Sequence, residues 1–183
     1  ISMALAGKPE QAMEHALDPV GSMRLEGQVI DQDFTPVANA LVAINSNPRR
    51  VVETEDDGSF VLSDLPARDY WLEATDGQRH AGPVALSIRG ATEPLILRLR
   101  DTQAVNVVVR SASGAPVPQA SIAMRSLLEW TAESDAKGAA TLAGIGPGVY
   151  TLRVSAKGFA ASSTRYIVSD ALATQLAEVV LQG

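Results

Sequence analysis

A chain of 183 residues has room for one or two domains, and this one has no cysteine and a formal net charge of -6. The missing thiols exclude cysteine catalysis, zinc–thiolate sites and disulfides, while leaving the compartment open. The acidic balance, with no cluster of Lys and Arg, weighs against a nucleic-acid surface and against a basic helix on anionic lipid. No apolar run approaches the roughly 18 residues of a membrane span, so this segment is not expected to insert into a bilayer. Ile1 opens the chain without an initiator Met, which predicts a piece of a longer polypeptide from which any signal peptide or anchor has been removed.

Residues 1–22 read as a linker. Pro9 suits the first turn of a short helix, Met13, Ala16 and Leu17 fall on one face of it, and Pro19 and Gly21 stop it. From Met23 the pattern changes to short runs of β type separated by turn residues, and strands are expected near 24–31, 39–45, 50–55, 59–63, 69–75, 83–89 and 94–100. Asn47-Pro48 cannot continue a ladder, and Asp57-Gly58 and Asp76-Gly77 each supply the positive φ that a tight hairpin requires. Leu95, Leu97 and Leu99 alternate with Arg98 and Arg100, which names the core face of the last strand.

The pattern then starts again, with strands expected near 104–111, 119–126, 129–134, 139–143, 149–155, 163–168 and 175–181. Thr35-Pro36-Val37-Ala38-Asn39-Ala40-Leu41-Val42 returns 80 residues on as Ala115-Pro116-Val117-Pro118-Gln119-Ala120-Ser121-Ile122. Gly58 returns as Gly138, and Tyr70 with Leu72 as Tyr150 with Leu152. A period of this length makes each copy a complete domain rather than a solenoid unit. The expected organisation is therefore all-β, two tandem seven-stranded sandwiches over 23–100 and 101–183. Only Asp101 and Thr102 separate the copies, too few for a flexible tether. A single core of this size supplies only about 3–5 kcal/mol, so contact between the copies is expected to contribute to stability.

The blocks Gly27-x-Val29, Pro36-Val37-x-x-Ala40-x-Val42, Thr54-x-x-Asp57-Gly58-x-Phe60-x-Leu62 and Leu65-Pro66-x-x-x-Tyr70-x-Leu72-x-Ala74 resemble, in order, the carboxypeptidase regulatory-like domain. The second copy is a weaker match. It keeps Pro116-Val117, Ala120, Gly138, Leu142, Tyr150, Leu152 and Gly158-Phe159, but has Lys137 where Asp57 stood and Ala140 where Phe60 stood. The resemblance implies a transthyretin-like, immunoglobulin-like sandwich that acts as a spacer or accessory module in exported, periplasmic or cell-surface proteins, and carries no catalytic residues. It also leaves open accessory domains of a peptidase.

His15 and His80 are the two histidines, one in the linker and one in a loop, and nothing in the pattern converges them into a catalytic or metal pair. The serines lack a nucleophile elbow, and the glycines of Gly144-Ile145-Gly146 precede a turn rather than a phosphate-holding helix. The expected activity class is therefore no enzyme. Asp31, Asp33, Asp56, Asp57 and Asp76 are placed by the strand order at one end of the first copy, where clustered carboxylates suit calcium; the same aspartates also initiate turns. Trp71 lies between Tyr70 and Leu72, whose shared parity is inward, so its indole points outward as a candidate glycan or protein contact. Trp130 is expected to fill the volume that Ala140 leaves. Leu127 and Leu128 have no obvious burial partner and are expected either at the contact between the domains, against the end bearing Asp33, Asp57 and Asp76, where Arg125 would pair with an acidic loop, or capping their own sandwich. The reading is a structural and protein-interaction segment, partnered by proteins or by other domains of its own polypeptide, with a Trp71 carbohydrate-binding module as the alternative and no cofactor unless calcium.

Overall fold

The computed structural model describes residues 17–170 and 174–183. Most of the helical turn expected in the linker lies outside them, and residues 17–22 carry no helix. The first domain is built from β1 (Met23–Ile30), β2 (Leu41–Ile44), β3 (Arg50–Glu53), β4 (Ser59–Leu65), β5 (Arg68–Thr75), β6 (Arg79–Ile88), β7 (Leu95–Arg98) and the two-residue β8 (Arg100–Asp101). The second contains β9 (Gln103–Ser111), β10 (Ser121–Arg125), β11 (Glu129–Glu133), β12 (Ala139–Ile145), β13 (Gly148–Ser155), β14 (Ser162–Val168) and β15 (Gln175–Leu181).

Each domain is a sandwich of two sheets. In the first, β4-β1-β7 faces β3-β2-β5-β6-β8, and in the second, β12-β9-β15 faces β11-β10-β13-β14. The outer strands β7 and β15 run parallel to β1 and β9, so the chain crosses between sheets after its first strand and before its last. Alternation places Leu25, Val29, Val42, Leu62, Tyr70, Leu72 and Leu97 in one core, and Val105, Val107, Ile122, Leu142, Tyr150 and Leu152 in the other. The two cores are separate, as expected of two complete domains.

The sixth strand begins earlier than the sequence suggested. Leu72 pairs with Val84 and Ala74 with Ala81, so β6 carries one extra residue at Gly82-Pro83, a bulge that resets its inward–outward parity. Gly82 sits at φ 94, and a Cβ there would meet the Leu72 carbonyl oxygen at 2.6 Å, so glycine is what lets the strands pair across the bulge. Beyond the bulge His80 pairs with Thr75 and lies on the outer face of the sheet, beside Glu73. The last strand also departs from expectation by changing sheets. β7 ends at Arg98 beside β1, Leu99 donates to the Ile30 carbonyl, and Arg100 and Asp101 then pair with His80 and Arg79 of the other sheet. The link to the second domain is thereby part of the first domain's sheet, and the Thr102 hydroxyl adds a hydrogen bond to the Gln78 carbonyl.

Candidate functional site

The outer face of the β5–β6 hairpin is where the two domains meet. Parity sends Tyr70, Leu72 and Ala74 inward and Trp71 and Glu73 outward, yet Glu73 is 0% exposed. It is covered by the β10–β11 turn of the second domain. The Glu73 carboxylate accepts from the Ser126 hydroxyl at 2.6 and 2.8 Å, from the Leu127 N–H at 3.0 Å, and pairs with His80 Nε2 at 2.5 Å. A buried carboxylate costs several kcal/mol if left unpaired, so these partners make the contact between domains conditional on their geometry. Arg49 donates to the Leu127 carbonyl from the same side.

His80 extends the network into the second domain. Its ring lies 6.0 Å from that of Trp130, which meets Tyr150 edge-on at 5.7 Å. Burial, and after it the nearby Glu73 charge, push the Tyr150 hydroxyl well above its ordinary pKa. That hydroxyl donates to the Gly146 carbonyl at 2.7 Å, as Tyr70 does to Pro66 at 2.6 Å in the first domain. Gly146 abuts the His80 ring and Gly144 abuts the Gly77 carbonyl so closely that neither site has room for a Cβ.

Leu128 is buried, while Leu127 is half-buried and hydrogen-bonded across the joint through its backbone. Arg125 does not reach an acidic loop of the first domain: it pairs with Glu129 of its own hairpin at 3.3 Å, because the two face each other across the turn. Among the described residues the hydrogen bonds to the second domain come from Arg49 and Glu73, with Gln78 of the Asp76 turn bonded to the linker, instead of from the turns bearing Asp33 and Asp57. Trp130 and Ala140 both pack against the second core, and the Trp130 ring also reaches the joint.

Trp71 is 51% exposed. On one side it shares an apolar crevice with Asn45, Pro83, Ser126 and Leu127, and on the other it borders Asp69, Ala85, Ser87 and Arg89. Ala85 is its cross-strand partner, and its small side chain leaves the indole uncovered.

Of the five aspartates considered for calcium, Asp31, Asp57 and Asp76 serve turns and Arg79. Asp31 and Asp76 both bind Arg79, at 3.5 and 2.7 Å, and Asp31 also accepts from the N–H groups of Asp33 and Thr35. Asp57 caps its own turn through Ser59, and Asp33 and Asp56 are exposed. Among the described residues no three His, Asp or Glu side chains are grouped to hold a metal.

Sequence reasoning missed Glu73, His80 and Ser126, because a carboxylate on an outward parity reads as solvated and His80 reads as part of a loop before the sixth strand. The repeat carried a faint signal: Glu73 aligns with Arg153 and His80 with Ala160, so the first copy has a titratable pair that the second lacks.

Two sandwiches of one topology, closed on each other through a shared carboxylate, define a tandem immunoglobulin-like module pair. The sequence model of the carboxypeptidase regulatory-like domain matches twice, over residues 24–99 and 104–182, and the chain belongs to that family. Among solved structures it is similar to a streptococcal ancillary pilin (12% identity, TM-score 0.43, covering 87% of this chain and 62% of the pilin). It is also similar to a minor pilin of Streptococcus agalactiae (12% identity, TM-score 0.44, covering 88% and 96%). A third is the shaft pilin SpaA of Lactobacillus rhamnosus GG (10% identity, TM-score 0.39, covering 88% and 97%). The chain thus spans less than two thirds of the ancillary pilin. No curated protein matches it. Among the described residues no helix is long and apolar enough to cross a membrane.

Proposed function

We propose that this chain is a non-catalytic structural and protein-interaction segment of a larger exported protein, extracellular, cell-surface or periplasmic, whose task is to hold what precedes and follows it in a set orientation. The observation that carries this reading is the Glu73 joint: a carboxylate of one domain is buried by the other and satisfied by Ser126 and Leu127, while the connecting residues are paired into the first domain's sheet. Such a joint restricts relative motion that domains otherwise retain. Small-angle scattering with residual dipolar couplings on the intact chain tests it. A single interdomain orientation is expected, lost in Glu73→Ala; independent tumbling of the two domains in the parent chain would overturn the reading, as would reproducible peptide or ester turnover by purified protein.

A second reading is supported by Trp71. Its indole is uncovered beside the polar groups of Asp69, Ser87 and Arg89, a combination of ring face and hydrogen-bonding rim that suits a sugar. Binding on a glycan array that disappears in Trp71→Ala, with the fold unchanged, is the outcome that favours this reading.

A further inference from the structure

The two domains receive what precedes them at the same two turns. In the second domain the residue at the β10–β11 turn is Leu127: its N–H donates to the Glu73 carboxylate and its carbonyl accepts from Arg49, both from the preceding domain. The equivalent residue 80 positions earlier is Asn47. Its N–H donates to the Asp18 carboxylate at 2.7 Å and its carbonyl accepts from the Asp18 N–H at 2.5 Å, both from the segment preceding β1. The second turn corresponds as well. Gly146 of the β12–β13 turn lies against His80, and at the equivalent β4–β5 turn Leu65 and Pro66 lie against the backbone of Gly21, whose N–H donates to the Asp64 carbonyl at 3.1 Å.

Each received carboxylate also has a second partner. These partners come from different sides: His80 of its own domain serves Glu73, whereas Arg68 of the receiving domain serves Asp18 at 2.9 Å while donating to the Asn45 carbonyl. Burial raises the Asp18 carboxyl, but the hydrogen bonds from Arg68 and the Asn47 N–H, with the Arg68 charge, together outweigh it and hold the group below the ordinary carboxylate range. The sequences at the two turns differ, Ser46-Asn47-Pro48 against Ser126-Leu127-Leu128, so the common element is backbone geometry that the fold imposes in both copies.

We propose that the base of each domain is a carboxylate-receiving docking site for the unit that precedes it, and that in the first domain the occupant is the segment of this chain carrying Asp18. By this rule residues 17–21 are held in a fixed position, as a domain would be, and do not act as a free tether. The proposal extends the structural reading above, and its failure would leave the Glu73 joint, on which that reading rests, untouched.

The test is chemical rescue in the full chain. Asp18→Ala is titrated with acetate, and with acetamide as the neutral isostere, while the Asn47 amide is followed by NMR. Acetate is expected to return the Asn47 resonance toward its parent position with saturation and to slow its hydrogen exchange at least tenfold. Acetamide should do neither, and the Leu127 amide should stay fixed as the internal reference for an intact second site. An Asn47 amide indifferent to acetate in a chain whose Leu127 amide is unchanged overturns the proposal, as does an equal response to acetamide. Should Asp18→Ala fail to fold, the parent chain decides: the Asn47 amide is expected to titrate with Asp18 below the ordinary carboxylate range, and an amide insensitive to that titration overturns the assignment.

Discussion

Thr54 and Ser134, 80 residues apart in the chain, close the same gap in the two domains with one hydroxyl each. Thr54 Oγ1 accepts from the Ala40 N–H at 2.9 Å and donates to the Val37 carbonyl at 2.7 Å; Ser134 Oγ accepts from Ala120 at 2.8 Å and donates to Val117 at 2.7 Å. Both hydroxyls are buried where the crossover from the first sheet enters the second, at a point where backbone groups have no ladder partner. Thr54→Val keeps the volume and strands both backbone groups, and the expected cost is about 1–3 kcal/mol, with Ser134→Ala costing a similar amount in the other domain. Denaturant midpoints unchanged in both variants would show that water replaces the hydroxyls.

Gly58 and Gly114 both take positive φ, at 75 and 86, but only one is enclosed. A Cβ at Gly58 would lie 2.6 Å from the Val29 carbonyl oxygen, whereas at Gly114 nothing lies within 4 Å. Gly114→Ala should therefore cost only the backbone term, about 1–2 kcal/mol, and Gly58→Ala should cost more, since Val29 must give up its place in the β1 crossover. Gly58→Val is the harsher form. Equal midpoints for the two alanine variants, measured by thermal unfolding, would mean that the Asp57-Gly58 turn relaxes freely.

The strands were legible because alternation and turn residues agree. Leu95, Leu97 and Leu99 mark a core face, Asp57-Gly58 marks a hairpin, and the 80-residue period supplies a second reading of each. The outward parity of Trp71 follows from Tyr70 and Leu72, and the structure leaves that indole half in solvent. The joint was less legible for a physical reason. Glu73 and Ser126 lie far apart in sequence, and a charge on an outer sheet face is ordinarily solvated, so only the placement of one domain on the other reveals its burial. The early start of β6 was hidden by Gly82-Pro83, which reads as a strand boundary but is a bulge inside the strand.

Acid should weaken the fold through its turn aspartates. Hydrogen bonds from Ser59 hold Asp57 low, those from the Ala139 and Lys137 N–H groups hold Asp135 low, and the Thr35 N–H, with Arg79, holds Asp31 low. Burial raises Asp76, but its bonds to the Arg79 backbone and guanidinium outweigh that, and the net direction is again downward. Each group binds its proton less readily folded than unfolded, so its contribution is present above the unfolded value of about 3.9 and is lost as pH falls through the lower folded values. Stability measured between pH 5 and pH 2 is expected to fall, with a shallower decline in Asp57→Asn combined with Asp135→Asn. A decline of unchanged slope in that double variant would assign the acid sensitivity to other groups.

The tightest point of the joint is Gly146 against His80. A Cβ on residue 146 would run into Nδ1 of the ring and lie 2.6 Å from its Cγ, and the ring cannot swing aside without giving up Glu73 at 2.5 Å. The turn cannot easily retreat either, since the Gly146 carbonyl accepts from Tyr150, which packs edge-on against Trp130. Gly146→Ala should therefore cost about 1–3 kcal/mol through overpacking, and should loosen the domain orientation seen by scattering. His80→Ala removes the obstacle, at the expense of a partner for the buried carboxylate. The two substitutions are thus expected to be strongly non-additive, the double variant losing less than the sum of the singles by about 0.5–3 kcal/mol. Additive losses in the full chain would mean that Gly146 and His80 do not compete for the same space, and would remove the steric basis for a fixed joint.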